Sequence, residues 1–340
     1  MSTTTQNNKN TPAGGFDLRS LTQGMSPLIG VLIAIPAILL IYGAFTTDNF
    51  LTEETFKAIL RSTAFVGIFA IGLTFVTISG NFFLLSLEEM AGLASLIFAF
   101  TLSREMGLIP ALVLTLGAAV IIGAIQGIIV GLGGNPIVVT LGAAGIIFGF
   151  ASWVSNNAVI QIERPHPAEW LGTGLTFTIP NITWAFIILA IIGEIVLRKT
   201  SFGRSCYLVG ENKDTARSTG YSAFWKAVQV FGLASACAAF VGVLFAAQIS
   251  QGQVSLFSAS FGSSGSIAIS AIAAVMVGGS SIFGGRGSIL QTVLGAIFIS
   301  IVDYMMVLRG FESGPRILFV GLTVVASISL YALIRRNSVR

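Results

Sequence analysis

Apolar runs of bilayer length recur along almost the whole chain, and that recurrence leaves few folds open. They extend from Leu28 to Phe45, Ala58 to Ser79, Leu87 to Leu102, Leu108 to Leu132, Pro136 to Val154, Ile182 to Leu197, Ala227 to Ser250, Ile267 to Val277, Ile289 to Leu308 and Ile317 to Ile334. About 20 apolar residues wound as a helix cross the hydrocarbon of a bilayer, and within lipid every backbone polar group must be paired in a helix or a closed barrel. These runs are continuous and do not alternate with period two, which excludes the barrel. The fold expected is all-α, a polytopic membrane helix bundle of about ten transmembrane helices, some short or broken. Only 9% of residues are charged and the mean hydropathy is +0.89, far from soluble composition.

Short links make consecutive helices antiparallel. Two places disturb the pattern. Ser79-Gly80-Asn81 interrupts the path between the second and third runs, and Gly278-Gly279-Ser280-Ser281 follows the short eighth run. That run either extends through Phe283 or forms a broken or re-entrant helix; it is kept as a crossing because otherwise Arg335, Arg336 and Arg340 would face outward.

One long segment between the runs is strongly basic. Residues 198–226 carry Arg198, Lys199, Arg204, Lys213, Arg217 and Lys226 against Glu211 and Asp214. Short loops rich in Lys and Arg stay cytoplasmic, so this segment fixes the orientation and places both termini inside the cell. The domain reading is a disordered cytoplasmic tail over 1–27, a transmembrane domain over 28–334 and a cytoplasmic tail over 335–340. The net charge of +4 and pI near 9.3 are then properties of inner loops, and nucleic acid is not an expected partner.

Several chemistries are excluded. No Gly-Lys dipeptide occurs, so the chain lacks the glycine-rich loop that cradles nucleotide phosphates. His166, the one histidine, lies between Pro165 and Pro167 and reads as a loop residue without a role. No catalytic residue and no metal site is expected, and Cys206 and Cys237 fall on different sides of a hydrophobic boundary.

The candidates that remain concern a pathway. Ionisable groups inside spans are rare and telling, and Asp303, near the outer end of the ninth run, is the strongest of them. Glu88 and Glu89 open the third run, where acids serve either the helix N-terminus or the pathway. Gly80 and Asn81 at the first interruption and Asn135 before Pro136 complete the candidate set. Glu194 precedes Arg198 by four residues and reads as a local ion pair. In the basic segment, Arg198 to Arg204 ends a helix, and Gly210-Glu211-Asn212 caps a short helix, Lys213 to Thr219, stopped by Gly220. Such a helix is either a solvated connector or a docking element.

Thr200-Ser201-Phe202-Gly203-Arg204, Tyr207, Gly210-Glu211-Asn212, Ala216-Arg217 and Gly220 together resemble the cytoplasmic loop of permease subunits of bacterial ABC importers in the ribose/galactose/xylose (monosaccharide) family. Gly72-Leu73-Thr74-Phe75-Val76 with Ser79-Gly80, Pro136 to Gly142, and Gly278-Gly279-Ser280 with Gly284-Gly285-Arg286-Gly287 extend the similarity from Ala58 to about Ala332. The resemblance implies that Gly203, Arg204, Gly210, Glu211, Asn212, Ala216, Arg217 and Gly220 form an ATPase-coupling loop. It also implies three partners: an ATP-binding cassette ATPase that binds the ATP, a periplasmic or lipid-anchored solute-binding protein, and a second permease subunit. The function implied is translocation of a sugar or polyol by alternating access, with no cofactor in this chain. Where the family has Gly-Ile-Asp-Leu-Ser after Ser-Gly, this chain reads Asn81-Phe82-Phe83-Leu84-Leu85-Ser86, with Glu88 and Glu89 beyond. The alternative is an ion-gradient-driven secondary transporter of a small polar solute, with Asp303 or Glu88 and Glu89 holding the ion.

Overall fold

The computed structural model describes residues 52–254, 267–312, 314–322 and 325. Its helices are α1 (Glu53–Ile78), α2 (Leu87–Ser103), α3 (Leu108–Gly131), α4 (Pro136–Ser155), α5 (Glu169–Gly172), α6 (Asn181–Lys199), α7 (Ser201–Glu211), α8 (Lys213–Ser218), α9 (Ala223–Ile249), α10 (Ile267–Val277) and α11 (Ile289–Leu308). Residues 314–322 are helical as well. Four two-residue strands, β1 (Ile160–Gln161), β2 (Leu175–Thr176), β3 (Ile179–Pro180) and β4 (Gln251–Gly252), pair antiparallel as β1 with β4 and β2 with β3. Among the described residues six helices are long and apolar enough to cross a membrane. The expected all-α polytopic bundle is the fold found. The first run, Leu28 to Phe45, and the two tails lie outside the described residues, as does most of the tenth run.

Local sequence explains where the spans begin and end. Glu53, Glu54 and Lys57, which precede the second apolar run in the sequence, belong to the start of α1. Thr52 Oγ1 accepts from Thr55 N, Glu53 and Glu54 suit the positive helix end, and Lys57 pairs with Glu53 at 2.7 Å. Asn135 starts α4 by accepting from Ile137 N at 3.0 Å, with Pro136 pre-set for the first helical position.

The core lies around α1 and α9, the two most buried spans. Gly123, Gly127 and Gly131 repeat every fourth residue on α3, and a methyl added there would meet Phe231, Val228 and Phe224 of α9. Small residues at this spacing let two backbones touch, which in lipid replaces the hydrophobic drive for helix association. α11 runs antiparallel to α1, and the Thr74 and Thr292 hydroxyls are joined at 2.8 Å between them.

Two ends of the bundle follow from these pairings. At one lie α7, α8 and residues 278–288; at the other lies the 156–180 excursion, stapled to the end of α9 through β1 and β4. The excursion is seated by Gly172, whose missing side chain leaves room for the Ala247 backbone.

Among the described residues α10 is too short to cross alone. α10, with 11 residues, rises about 16 Å, half of the hydrocarbon thickness. It stops at Val277 and does not extend through Phe283, because Gly278 and Gly279 close it: Gly278 N donates to Ala274 O and Gly279 N to Met276 O. α2, with 17 residues, is reached only after the irregular stretch 79–86.

Candidate functional site

The basic segment is helical almost throughout. The expectation that Arg198 to Arg204 ends a helix is corrected: α6 stops at Lys199 and a second helix starts at once, because Thr200 Oγ1 accepts from Gly203 N at 3.3 Å while donating back to Val196 O at 2.6 Å. Gly210 and Glu211 are the last residues of this α7 and not part of a cap. Asn212 alone caps α8, accepting from Asp214 N at 2.9 Å and Thr215 N at 3.2 Å. Gly220, at φ +84, turns the chain out of α8, and Ser222 caps α9. α9 thereby begins four residues earlier than the apolar run and takes Lys226 into its first turn.

Beneath α7 three distant glycine motifs meet. A methyl at Gly210 would sit 1.9 Å from Ile78 O, and one at Gly284 would sit 2.8 Å from Gly80 Cα and 2.9 Å from Gly210 Cα. Gly285 N donates to Ile78 O at 2.9 Å, and Tyr207 Oη donates to Gly287 O at 2.6 Å. The end of α1, the bend at Gly80 and the 284–287 loop therefore all bear on one face of α7. Burial pushes the Tyr207 phenol up to about 12, with Glu194 adding to it, and the buried Cys206 thiol up to about 11, so both stay protonated. Of the candidate coupling residues, Arg204, Glu211 and Arg217 face outward, while Gly203 and Ala216 are buried and secure packing. Asp214 in the first turn and Arg217 in the last complement the α8 dipole, whereas Glu211 closes α7.

Glu194 joins this end as well. It pairs with Arg198, as expected, but it also accepts from Ser288 Oγ at 3.1 Å, Ile289 N at 3.0 Å and Leu290 N at 3.3 Å. A carboxylate from α6 thus caps α11, which ties the segment before α7 to the span after the glycine loop.

The candidate pathway residues do not form one group. Gly80 and Asn81 belong to the contact under α7; Asn81 is buried and its amide donates to Ser79 Oγ at 2.9 Å. Glu88 Oε1 accepts from Ala268 N at 3.0 Å, so it stands at the N-terminus of the half-length α10, deep in the bundle. One oxygen of its neighbour, Glu89 Oε2, is buried without a hydrogen-bond partner. Asn135 is an exposed cap whose carbonyl is taken by Ile137 N. Asp303 is held by Arg316 through both carboxylate oxygens, at 3.0 and 2.9 Å, and Arg316 is buried.

Sequence reading missed Gln126 and Ser235. Ser86, the residue preceding α2, donates to Gln126 Oε1 at 2.8 Å, which leaves Gln126 Nε2 buried and unpaired. Ser235 Oγ, also buried and unpaired, lies against Gly123, one turn away on α3. The signal was present: an amide within an otherwise apolar run is as unusual as a charge there. His166 was also undervalued. It is buried, with Nε2 at 3.2 Å from Ser250 Oγ, and Arg164 Nε donates to the same hydroxyl at 2.6 Å.

These features can be set beside known proteins. The family described as branched-chain amino acid transport system / permease component matches residues 55–327. The chain is 29% identical over 311 residues to the probable ABC transporter permease protein YphD of Escherichia coli K12, covering 91% of each. It is 31% identical over 278 residues to the autoinducer 2 import system permease protein LsrC of Yersinia enterocolitica, covering 82% of this chain and 74% of that one. A LsrC of Escherichia coli SMS-3-5 is 30% identical over 281 residues, covering 82% and 79%. No solved structure matches.

Proposed function

The chain belongs to the branched-chain amino acid transport system permease-component family, and from that premise we propose that it carries a sugar or polyol across a bacterial inner membrane by alternating access. It is a permease, not an enzyme, and its work is conformational. In this reading ATP is bound by a separate cassette ATPase, a solute-binding protein delivers solute to the end bearing the 156–180 excursion, and two permease subunits form the channel. The basic end faces the cytoplasm.

The observation that carries the reading is the contact of Gly210 with Ile78 and Gly284. A push on α7 and α8 reaches backbone directly on α1 and on the loop leading into α11, without a flexible side chain to absorb it. Glu194 and Arg198 add a second link to α11. The solute class rests on the lining available: Ser86, Gln126 and Ser235 are neutral hydrogen-bonding groups at the α2, α3 and α9 junction, and the half-helix α10 starts beside Glu88. Discontinuous helices that end within the bundle are where transporters place solute sites. The ion-gradient alternative loses its strongest ligand, since Asp303 is occupied by Arg316.

The test is reconstitution with the ATPase and binding protein. Arg217→Glu, on the exposed face of α8, is expected to leave the permease inserted while ATP hydrolysis continues without uptake. Unchanged coupled uptake by this variant would overturn the coupling assignment.

A further inference from the structure

Tyr221 separates two depressions at the basic end. The one of about 360 Å³ contains Lys213, Asp214 and Arg217 of the docking helix α8. The other, about 440 Å³, lies between α7 and the start of α9 and is lined by Ser201, Phe202, Ser205, Ser222, Trp225, Lys226 and Gln229, among others. Among the described residues no carboxylate lines it.

Lys226 is only 7% exposed. Its ammonium stands 4.2 Å from the centre of the Phe202 ring and donates to Gln229 Oε1 at 2.9 Å, and among the described residues no acid pairs with it. An ammonium has three N–H donors, and a buried one without a counter-ion keeps a large uncompensated desolvation cost. A cation held in that way, at the wall of an open depression with hydroxyls around it, is a receptor for an anion. A second cation stands at the rim, where Arg204 donates to Ser201 Oγ at 3.4 Å.

We propose that this depression binds the phosphate of an anionic phospholipid head group. The position favours lipid over a soluble anion. Trp225, 62% exposed beside Lys226, is the residue type that sits at head-group level, and α9 enters the membrane from this point. Span α6, which leads into α7, has Ile188, Ile191, Ile192 and Ile195 exposed, an apolar stripe that ends just before Lys199. Basic residues next to a span are the features that recognise acidic head groups. A lipid seated here touches α7 and α9 together, so acidic lipid content would set how firmly α7 is held.

The full-length permease, purified in detergent, is offered phosphatidylglycerol or phosphatidylcholine and bound lipid is counted by native mass spectrometry. The wild type should retain phosphatidylglycerol preferentially, and Lys226→Gln should lower that retention by about fivefold or more, the worth of at least one basic residue at an acidic surface. Lys226→Arg should keep it. Equal retention by Lys226→Gln overturns the proposal, as does an equal loss in Lys213→Gln, which would mean a diffuse basic surface. Displacement of the lipid by millimolar inorganic phosphate would make this a soluble-anion site, and its expulsion on ATPase assembly would make it a seat for that partner; either result overturns the lipid assignment. Should Lys226→Gln fail to insert, the exposed Arg204→Gln replaces it under the same criterion.

Discussion

Glu194 Oε2 accepts the backbone N–H of Ile289 at 3.0 Å, so the span that follows the glycine loop is capped by a carboxylate from a different span. The same side chain takes Leu290 N and Ser288 Oγ. A hydrogen bond to a charged group contributes about 1.5–3 kcal/mol, and an unsatisfied helix end costs a similar amount. Glu194→Ala should therefore destabilise the purified permease by about 2 kcal/mol, and Glu194→Gln, which keeps one acceptor, by less. Thermal unfolding in detergent measures both. Equal stability of the Ala variant would mean that Ser288 and water replace the cap.

Two glycines of the coupling region should respond differently to alanine. At Gly210 the new methyl would lie 1.9 Å from Ile78 O, a backbone atom that moves only if α1 and α7 separate. Gly220 has open space around it, and the cost there is its φ of +84, about 1–2 kcal/mol for an L residue in the left-handed region. Gly220→Ala should insert and retain most coupled uptake, whereas Gly210→Ala should insert and hydrolyse ATP without transport. Parallel measurement of ATPase rate and uptake in proteoliposomes separates the two.

How far the sequence carried depended on whether a property is local. α10 and α11 have the bounds read from their apolar runs, Ile267 to Val277 and Ile289 to Leu308, because glycine and serine mark their ends. The start of α9 was misplaced because Lys226 reads as a loop residue by charge, whereas the Phe202 ring and Gln229 let it enter a helix. Gly80, Gly210 and Gly284 were each visible as motif residues, but nothing in their spacing says that they touch. Asp303 stood out as a charge within a span; its partner Arg316 lies in the next helix, and nothing in the spacing says that the two meet.

His166 supplies a pH dependence at the opposite end. Burial pushes its imidazole below the ordinary 6.5, with Glu169 opposing that shift and Arg164 adding to it. A histidine whose folded value is depressed favours the neutral ring. Its contribution is complete above the unfolded value and is lost as pH falls through 6.5 and then through the lower folded value. Protonation makes both ring nitrogens donors, and Nδ1 is buried without a partner. The protection of residues 160–176 against hydrogen exchange should therefore fall on acidification below about pH 6.5. His166→Gln should flatten that dependence.

The last prediction concerns the Asp303–Arg316 pair, which separates a structural charge from a pathway charge. Arg316 is 5% exposed and binds both oxygens of Asp303, and removing it leaves the Asp303 carboxylate without that counter-ion. Breaking a buried pair costs about 3–5 kcal/mol, while replacing both members with apolar side chains is often neutral. Asp303→Asn and Arg316→Gln should each lower stability, and Asp303→Leu combined with Arg316→Leu should recover much of it. If the pair is only a clasp between α11 and the helix that follows, the double variant transports in vesicles containing the ATPase and binding protein. If Asp303 were a coupling-ion ligand, the double variant would be stable and silent, because no carboxylate would remain to bind the ion. Recovery of uptake together with stability is the expected outcome, since the guanidinium already fills the coordination that an ion would need.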